Sequence, residues 1–456
     1  MPATKNLLSV VRLKKYFPLK KTSLFSRKRQ YLRANESISL DIREGETFAL
    51  VGESGCGKST FGRTLLGLYR PTSGSAVYYG RNIFSLVPRY AFRILKNAEK
   101  YRTVYENNAE NDVENGGEFY TARKLLGGFL TLGKEDCKRG ARLLEEKFRA
   151  AKNESEMEKA EKRLEEFKAR FSGNKAFAAA EGYLDEGVDL ARLTSEEWRG
   201  LRKDLQIVFQ DPYSSLDPRM TVGQIIEEGV ATHKYYKRGT PQMREYVLGV
   251  MKNCGLQEYM LHRYPHQFSG GQRQRVCIAR ALAVKPRFVV CDECVSALDA
   301  SIQSQILNLL SELKEREKLT YLFISHDLSV VRHVSDRIAV MYLGDIVETG
   351  NAEEVFESPR HPYTIALISA APTIEAGGEK REKILLSGNM PSPVSPPSGC
   401  KFHTRCFMAC ERCQRIPPPV VEVEKGHFVA CHFAEKTTAE KREIAKDPHP
   451  ISEKTL

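Results

Sequence analysis

The sequence contains no run of about 18 apolar residues, the length a bilayer-spanning helix requires, so no transmembrane segment is expected. The opening residues Met1-Pro2-Ala3-Thr4-Lys5 lack the apolar stretch of a secretory signal. The expectation is a cytoplasmic chain, unless a partner carries it to a membrane. Acidic residues are outnumbered by basic ones, 58 against 70, for a net charge of +12. The basic residues are dispersed, and a solvated surface accounts for them without a nucleic-acid partner. Extensive disorder is excluded, because 41% of the 456 residues are hydrophobic. A chain of this length divides into roughly two to three domains. Cysteines are unevenly spread: six lie between Cys56 and Cys294, and five gather at Cys400, Cys406, Cys410, Cys413 and Cys431. In a reducing compartment such a cluster reads as a metal site rather than as disulfides.

Residues 36–50 read as two short strands, ending in Thr47-Phe48-Ala49-Leu50-Val51. A glycine-rich loop follows, then a helix carrying Phe61, Leu65 and Leu66. Further apolar strands are expected at Arg287–Cys291, Tyr321–Ser325 and Arg337–Met341. Short apolar runs separated by helical stretches imply a parallel sheet buried on both faces. Between about 84 and 187 the texture becomes charged. Met157, Ala160, Leu164, Phe167 and Phe171 recur at steps of three and four. Asn153-Glu154-Ser155 separates them from an earlier helix with Leu144, Phe148 and Ala151. This predicts an inserted helical hairpin packed on itself, with a docking surface for a partner as the alternative. Residues 387–399 read as a Pro/Ser/Gly linker, and the last twenty or so as a polar, disordered tail.

Gly52-Glu53-Ser54-Gly55-Cys56-Gly57-Lys58-Ser59-Thr60 fits G-x-x-x-x-G-K-[ST] between a strand and a helix. Glycines let the backbone wrap phosphate oxygens, and the helix start adds its positive end. Lys58 is expected to reach the β- and γ-phosphates of ATP, and the Ser59 hydroxyl to ligate Mg²⁺. Asp292-Glu293 ends an apolar strand. Asp292 would complete the Mg²⁺ shell and Glu293 would act as general base on water. A second anion-binding helix end is expected at Phe268-Ser269-Gly270-Gly271-Gln272, with Ser269 as cap. One chain needs one phosphate cradle, so this second one should serve a nucleotide held by another subunit.

With these motifs in hand, the chain resembles an ATP-binding subunit of an ATP-binding cassette (ABC) transporter. Ser269-Gly270-Gly271-Gln272 matches the family signature and Val295-Ser296-Ala297-Leu298-Asp299 its D-loop. Gln210, within Val208-Phe209-Gln210-Asp211-Pro212, matches the Q-loop, and His326 the switch histidine. Phe17, or adjacent Tyr16, stands where the family stacks an aromatic on adenine. The resemblance implies an α/β P-loop NTPase core with a helical subdomain. It implies a head-to-tail pair of cassettes in which Gly52, Ser54, Gly55, Gly57, Lys58, Ser59, Thr60, Gln210, Asp292, Glu293 and His326 of one face Ser269, Gly271 and Gln272 of the other. Gln210 would join the Mg²⁺ site and relay hydrolysis to membrane subunits. Cys294 departs from the Pro usual after the base.

The segment Ser358-Pro359-Arg360-His361-Pro362-Tyr363-Thr364 is similar to the tail of cassettes serving oligopeptide, dipeptide and nickel importers. Such cassettes carry cysteines like Cys400, Cys406, Cys413 and Cys431, here spaced by five, six and seventeen residues. The resemblance implies a [4Fe–4S] cluster, with Zn²⁺ as the alternative, since Cys410 creates an additional Cys-x-x-Cys. The expected domains are 1–83 for the first part of the ATPase core and 84–187 for the insertion. The rest of the core covers 188–350, the Cys-rich tail 351–435 and the polar tail 436–456. Expected partners are two membrane permease subunits, a second and distinct cassette, and indirectly an extracytoplasmic solute-binding protein, at the cytoplasmic face of the membrane. No nucleic acid is expected. The competing readings are a soluble cassette ATPase acting on ribosomes or nucleic acid, and a redox sensor. The first of these usually needs two cassettes or a long coiled coil, and this chain has one cassette and a short hairpin.

Overall fold

The computed structural model describes residues 5–20, 29–107, 116–371, 383–386 and 388–446. The chain divides into two units. One comprises Met1–Lys15, Glu36–Arg43 and Gly67–Leu201, and the other Tyr16–Asn35, Glu44–Leu66 and Arg202–Leu456. Among the described residues no helix is long and apolar enough to cross a membrane.

The strands in chain order are β1 (Asn6–Pro18), β2 (Tyr31–Arg43), β3 (Thr47–Val51), β4 (Ser73–Tyr78), β5 (Val188–Asp189) and β6 (Leu205–Val208). They continue with β7 (Phe288–Asp292), β8 (Thr320–Ser325), β9 (Arg337–Tyr342), β10 (Asp345–Asn351), β11 (Val420–Glu424) and β12 (His427–Ala430). The second unit is built on a sheet of order β11-β12-β10-β9-β3-β8-β7-β6. Its β9-β3-β8-β7-β6 part is parallel, with Thr47 opposite Tyr321 and Val290 opposite Leu322. β3, β7 and β8 are buried at every position, as near-continuous apolar strands covered on both faces should be. The helix Lys58–Leu65 packs on β7 and β8. The closeness of that packing explains Gly62, where a Cβ would come within 2.9 Å of Val290 Cγ1. The helices Val222–Thr232, Pro241–Asn253 and Gly270–Leu282 pack against one another as a helical subdomain.

The antiparallel side of this sheet was not legible in the sequence. β10 pairs with β9 and also with β12, where Glu348 faces Val429 and Thr349 faces Phe428. The Cys-rich tail therefore adds two strands to the sheet that carries the phosphate loop. The polar tail also differs from expectation. A helix forms over Thr438–Lys446, and Lys441 is fully buried, its ammonium donating to the Arg360 carbonyl. Residues 447–456 lie outside the described residues.

In the first unit β1 pairs antiparallel with β4, and β4 with β5. The expected hairpin forms from Lys134–Ala150 and Glu154–Ala169. Asn153 caps the second helix, accepting from the Glu156 N–H at 3.4 Å. Leu144, Phe148, Ala160, Leu164 and Phe167 are buried. The hairpin does not pack on itself alone. Helices at Ile83–Leu86, Arg89–Lys96, Ala98–Glu106, Glu118–Leu126 and Lys175–Glu181 accompany it. Phe84 and Phe92 meet Phe148, and Phe129 and Phe177 meet the second helix's aromatic end through Phe167 and Phe171. These extra helices run from four to nine residues, too short for an apolar period to declare itself.

Candidate functional site

The phosphate loop joins β3 to the helix that starts at Lys58. Two of its glycines are required by contact as well as by conformation. Gly52 has φ 150° and a Cβ there would lie 2.2 Å from the Met341 carbonyl. Gly57 has φ 111° and its Cβ would lie 2.1 Å from the Ala34 carbonyl. The buried Lys58 ammonium donates to the carbonyls of Gly52 at 2.7 Å and Glu53 at 3.0 Å. Burial pushes the neighbouring Cys56 thiol up from its ordinary range, which keeps it a thiol.

Ser59 and Asp292 meet here from residues far apart in sequence. The Ser59 hydroxyl donates to Asp292 Oδ1 at 2.6 Å, and Arg63 donates to Oδ2 at 3.2 Å. Asp292 is 1% exposed, so that its charge is buried and needs these partners. Arg63 was not singled out from the sequence. It lies four residues after Ser59, one helical turn on the same face, and that spacing was the signal. Glu293 follows with φ 49°, a left-handed conformation that a non-glycine residue holds only under constraint. Its N–H donates to the Ile324 carbonyl at 3.0 Å, and its own carbonyl accepts from the Ser296 hydroxyl at 2.9 Å. Those bonds hold the turn. Cys294, in place of the Pro usual at this position in the family, is buried. Gln210 donates to Glu293 Oε2 at 2.8 Å, and His326 Nδ1 lies 3.3 Å from the same oxygen. Two residues more than a hundred positions apart thus converge on the Glu293 carboxylate.

A cavity of about 240 Å³ lies over the loop, lined by Ser54, Gly55, Gly57, Lys58, Ser59 and Thr60 together with Gln210 and Glu293. That volume is below the range of a whole-ligand pocket and suits the phosphate end of a nucleotide. Leu32, Arg33, Leu343 and Pro393 also belong to the wall. None of these four carried a sequence motif. Phe17, half-buried near the end of β1, is not among the lining residues. Pro393 belongs to the segment read as a linker, and its carbonyl accepts the Arg33 N–H at 3.1 Å.

Ser269 caps the helix Gly270–Leu282 through a reciprocal pair: its hydroxyl accepts from the Gln272 N–H at 3.4 Å, and Gln272 Oε1 accepts from the Ser269 N–H at 3.1 Å. A Cβ at Gly271 would stand 2.4 Å from Ile302 Cγ2, so close helix packing excludes a side chain there. Ser269, Gly271 and Gln272 do not line the cavity.

The tail cysteines sit in one small cluster with Met408, Val429 and Phe433. Burial pushes Cys400, Cys413 and Cys431 up to about 11 and raises Cys406 well above its ordinary value. Cys410 and Cys413 are in direct contact, with their sulfurs 3.6 Å apart. Among the described residues no group of three or more His, Cys, Asp or Glu is arranged to hold a metal ion. Cys400, Cys406, Cys413 and Cys431 are thus gathered but do not form a closed ligand shell as they stand.

Comparison with known proteins places these features. The "ABC transporter" family matches residues 35–178 and 172–296, and "Oligopeptide/dipeptide transporter, C-terminal region" matches residues 347–413. The chain is 38% identical to the oligopeptide transport ATP-binding protein AppF of Bacillus subtilis, over 94% of this chain and 97% of that one. It is 35% identical to OppF of Escherichia coli, over 94% and 96%. It is 36% identical to the dipeptide transport ATP-binding protein DppF of Haemophilus influenzae, over 93% and 96%. Among solved structures, the dimeric ATP-binding cassette MJ0796 bound to ADP and Pi aligns at 19% identity with a TM-score of 0.47, over 76% of this chain and 98% of that one. With a third or more of its residues shared over nearly the full length of both partners, the chain belongs to the ATP-binding proteins of the oligopeptide/dipeptide ABC transporters.

Proposed function

We propose that this chain is the ATP-hydrolysing, peripheral subunit of an importer for oligopeptides or dipeptides. It would sit at the cytoplasmic face of two membrane permease subunits, paired with a second, homologous cassette and fed by an extracytoplasmic solute-binding protein. The observation that carries the reading is the convergence of Gln210 and His326 on Glu293 beside a phosphate loop whose Ser59 is bonded to Asp292. The relatives' names point to peptides as cargo.

In this reading Lys58 binds the β- and γ-phosphates, and the loop glycines present N–H groups to them. Ser59, Asp292 and Gln210 have the hard oxygen donors that Mg²⁺ prefers, and would hold it. The ion would supply charge neutralisation on the phosphates. Glu293 orients the attacking water and takes its proton, His326 contacts the γ-phosphate, and Gln210 reports the change to the permease. Phe17 stacks on adenine, beyond the phosphate-sized cavity. Ser269, Gly271 and Gln272 cover the nucleotide of the partner cassette.

For the tail, the reading is an iron–sulfur cluster held by Cys400, Cys406, Cys413 and Cys431. Its support is the gathering of five thiols in one cluster. Against it stands the lack of a three-ligand arrangement among the described residues. No step of hydrolysis needs the tail metal.

Replacing Glu293 by Gln tests the reading. ATP turnover should fall at least ~10²-fold while ATP binding persists and the chain accumulates as an ATP-bound pair of cassettes. Near-normal hydrolysis would remove Glu293 as the base. A strictly monomeric ATP-bound form would remove the paired mechanism.

A further inference from the structure

The phosphate loop is held from outside by the tail. Glu53, the second residue of the loop, makes contacts on three sides. Its carbonyl accepts from Lys58 at 3.0 Å. Its N–H donates to the Tyr363 hydroxyl at 2.8 Å. Both of its carboxylate oxygens accept from one Arg405 nitrogen, at 2.9 and 3.1 Å. The pair is shielded: the Arg405 side chain is 8% exposed and the Glu53 side chain 26%.

Neither contact is an isolated surface bond. Tyr363 packs against Tyr342 of β9 and Phe402 of the tail, with ring centroids 4.8 and 5.4 Å away. Burial keeps its hydroxyl far above the range in which it could ionise, so it stays a neutral acceptor for the Glu53 N–H. His361 caps the helix that opens at Pro362, its Nδ1 accepting the Tyr363 N–H at 3.0 Å, which fixes where Tyr363 starts. Arg405 stands beside Cys406 in the cysteine run. Lys401, four residues earlier, anchors the same run to the Leu343 carbonyl at 2.9 Å and to Asp345 at 2.8 Å.

Electrostatics gives these contacts a consequence. Glu53 places a carboxylate in a loop built to receive a triphosphate. Unneutralised, that carboxylate would repel the ligand through a partly desolvated medium, where like charges cost far more than in water. Arg405 cancels it, and Tyr363 fixes the backbone that carries it.

We propose that Arg405 and Tyr363 are positioning residues of the ATP site, through which the Cys-rich tail sets the affinity of the phosphate loop for nucleotide. This rests on the ATP-binding reading above. Neither residue touches the ligand; both act through Glu53.

The test is equilibrium binding of a fluorescent ATP analogue with Mg²⁺ to the full chain, with thermal melting in parallel. Arg405→Ala should raise Kd on the order of tenfold. Adding Glu53→Gln should recover most of that loss, because the uncompensated charge is gone. Arg405→Lys, which keeps the charge and loses the guanidinium geometry, should fall between wild type and Arg405→Ala. Tyr363→Phe keeps the ring packing, removes the acceptor, and should weaken binding about threefold. Arg415→Ala, which removes an exposed ion pair with Glu411 elsewhere in the tail, should leave Kd unchanged. The proposal is overturned if Arg405→Ala and Arg405→Lys melt lower with Kd within twofold of wild type. It is equally overturned if Arg405→Ala with Glu53→Gln binds no better than Arg405→Ala alone. If wild type itself fails to bind nucleotide, the ATP-site reading falls instead.

Discussion

The phosphate loop and the cysteine cluster belong to the same unit and are both made of short loops, yet they stand in different conditions. In the loop, Lys58, Asp292 and Glu293 each have polar partners at hydrogen-bonding distance. In the tail, desolvation suppresses the ionisation of Cys400, Cys406, Cys413 and Cys431, and Cys410 and Cys413 are in direct sulfur–sulfur contact. The difference follows from what each group tolerates. A charge can be buried only if it is paired, so the ATP site must be assembled when the chain folds. A thiol buries as a small hydrophobe, so a cluster of them can pack without closing round an ion.

The comparison breaks most completely if the tail holds iron. Anaerobic purification should then yield iron and sulfide with an absorbance band near roughly 400 nm, and a chelator should lower the melting temperature steeply, since a structural metal contributes on the order of 10 kcal/mol. Stoichiometric zinc without colour would assign Zn²⁺ instead. Neither metal would leave the cluster as packing alone.

A smaller effect separates the tail's histidine from the ATP site. Burial, reinforced by Lys441, pushes His361 down to about 3. The unfolded chain takes up this proton below about pH 6.5, whereas the folded chain refuses it until about pH 3. His361 therefore contributes stability that is present above pH ~6.5 and lost as pH falls, by up to about 1.4 kcal/mol per unit. Melting curves between pH 8 and 5 should show this slope, and His361→Asn, which retains a capping side chain, should flatten it. An unchanged slope would mean that His361 titrates normally.

The smallest effect lies in the helical insertion. Asn153→Ala removes the cap between the two hairpin helices and should cost about 1 kcal/mol of stability. ATP affinity should not move. A shift in Kd with this variant would tie the insertion to nucleotide binding.

The sequence exposed whatever a short stretch of chain encodes by itself. The phosphate loop is local, because strand, glycine turn and helix follow one another and the glycines answer to backbone geometry at their own positions. Four of the five parallel strands were visible as apolar runs, β6 was not, and the hairpin showed as a 3.6-residue period. Ser269 as a cap followed from the Ser-Gly-Gly that opens the helix, whereas the bond Gln272 returns to it came from the structure. What tertiary structure alone decided was which distant side chains meet. No spacing predicts that Gln210 and His326 share Glu293 Oε2, that β12 extends the sheet beside β10, or that Arg405 reaches Glu53 across about 350 residues of chain. Such contacts are set by packing of whole elements, where one partner's position depends on every strand between them, and a linear pattern carries no record of that sum.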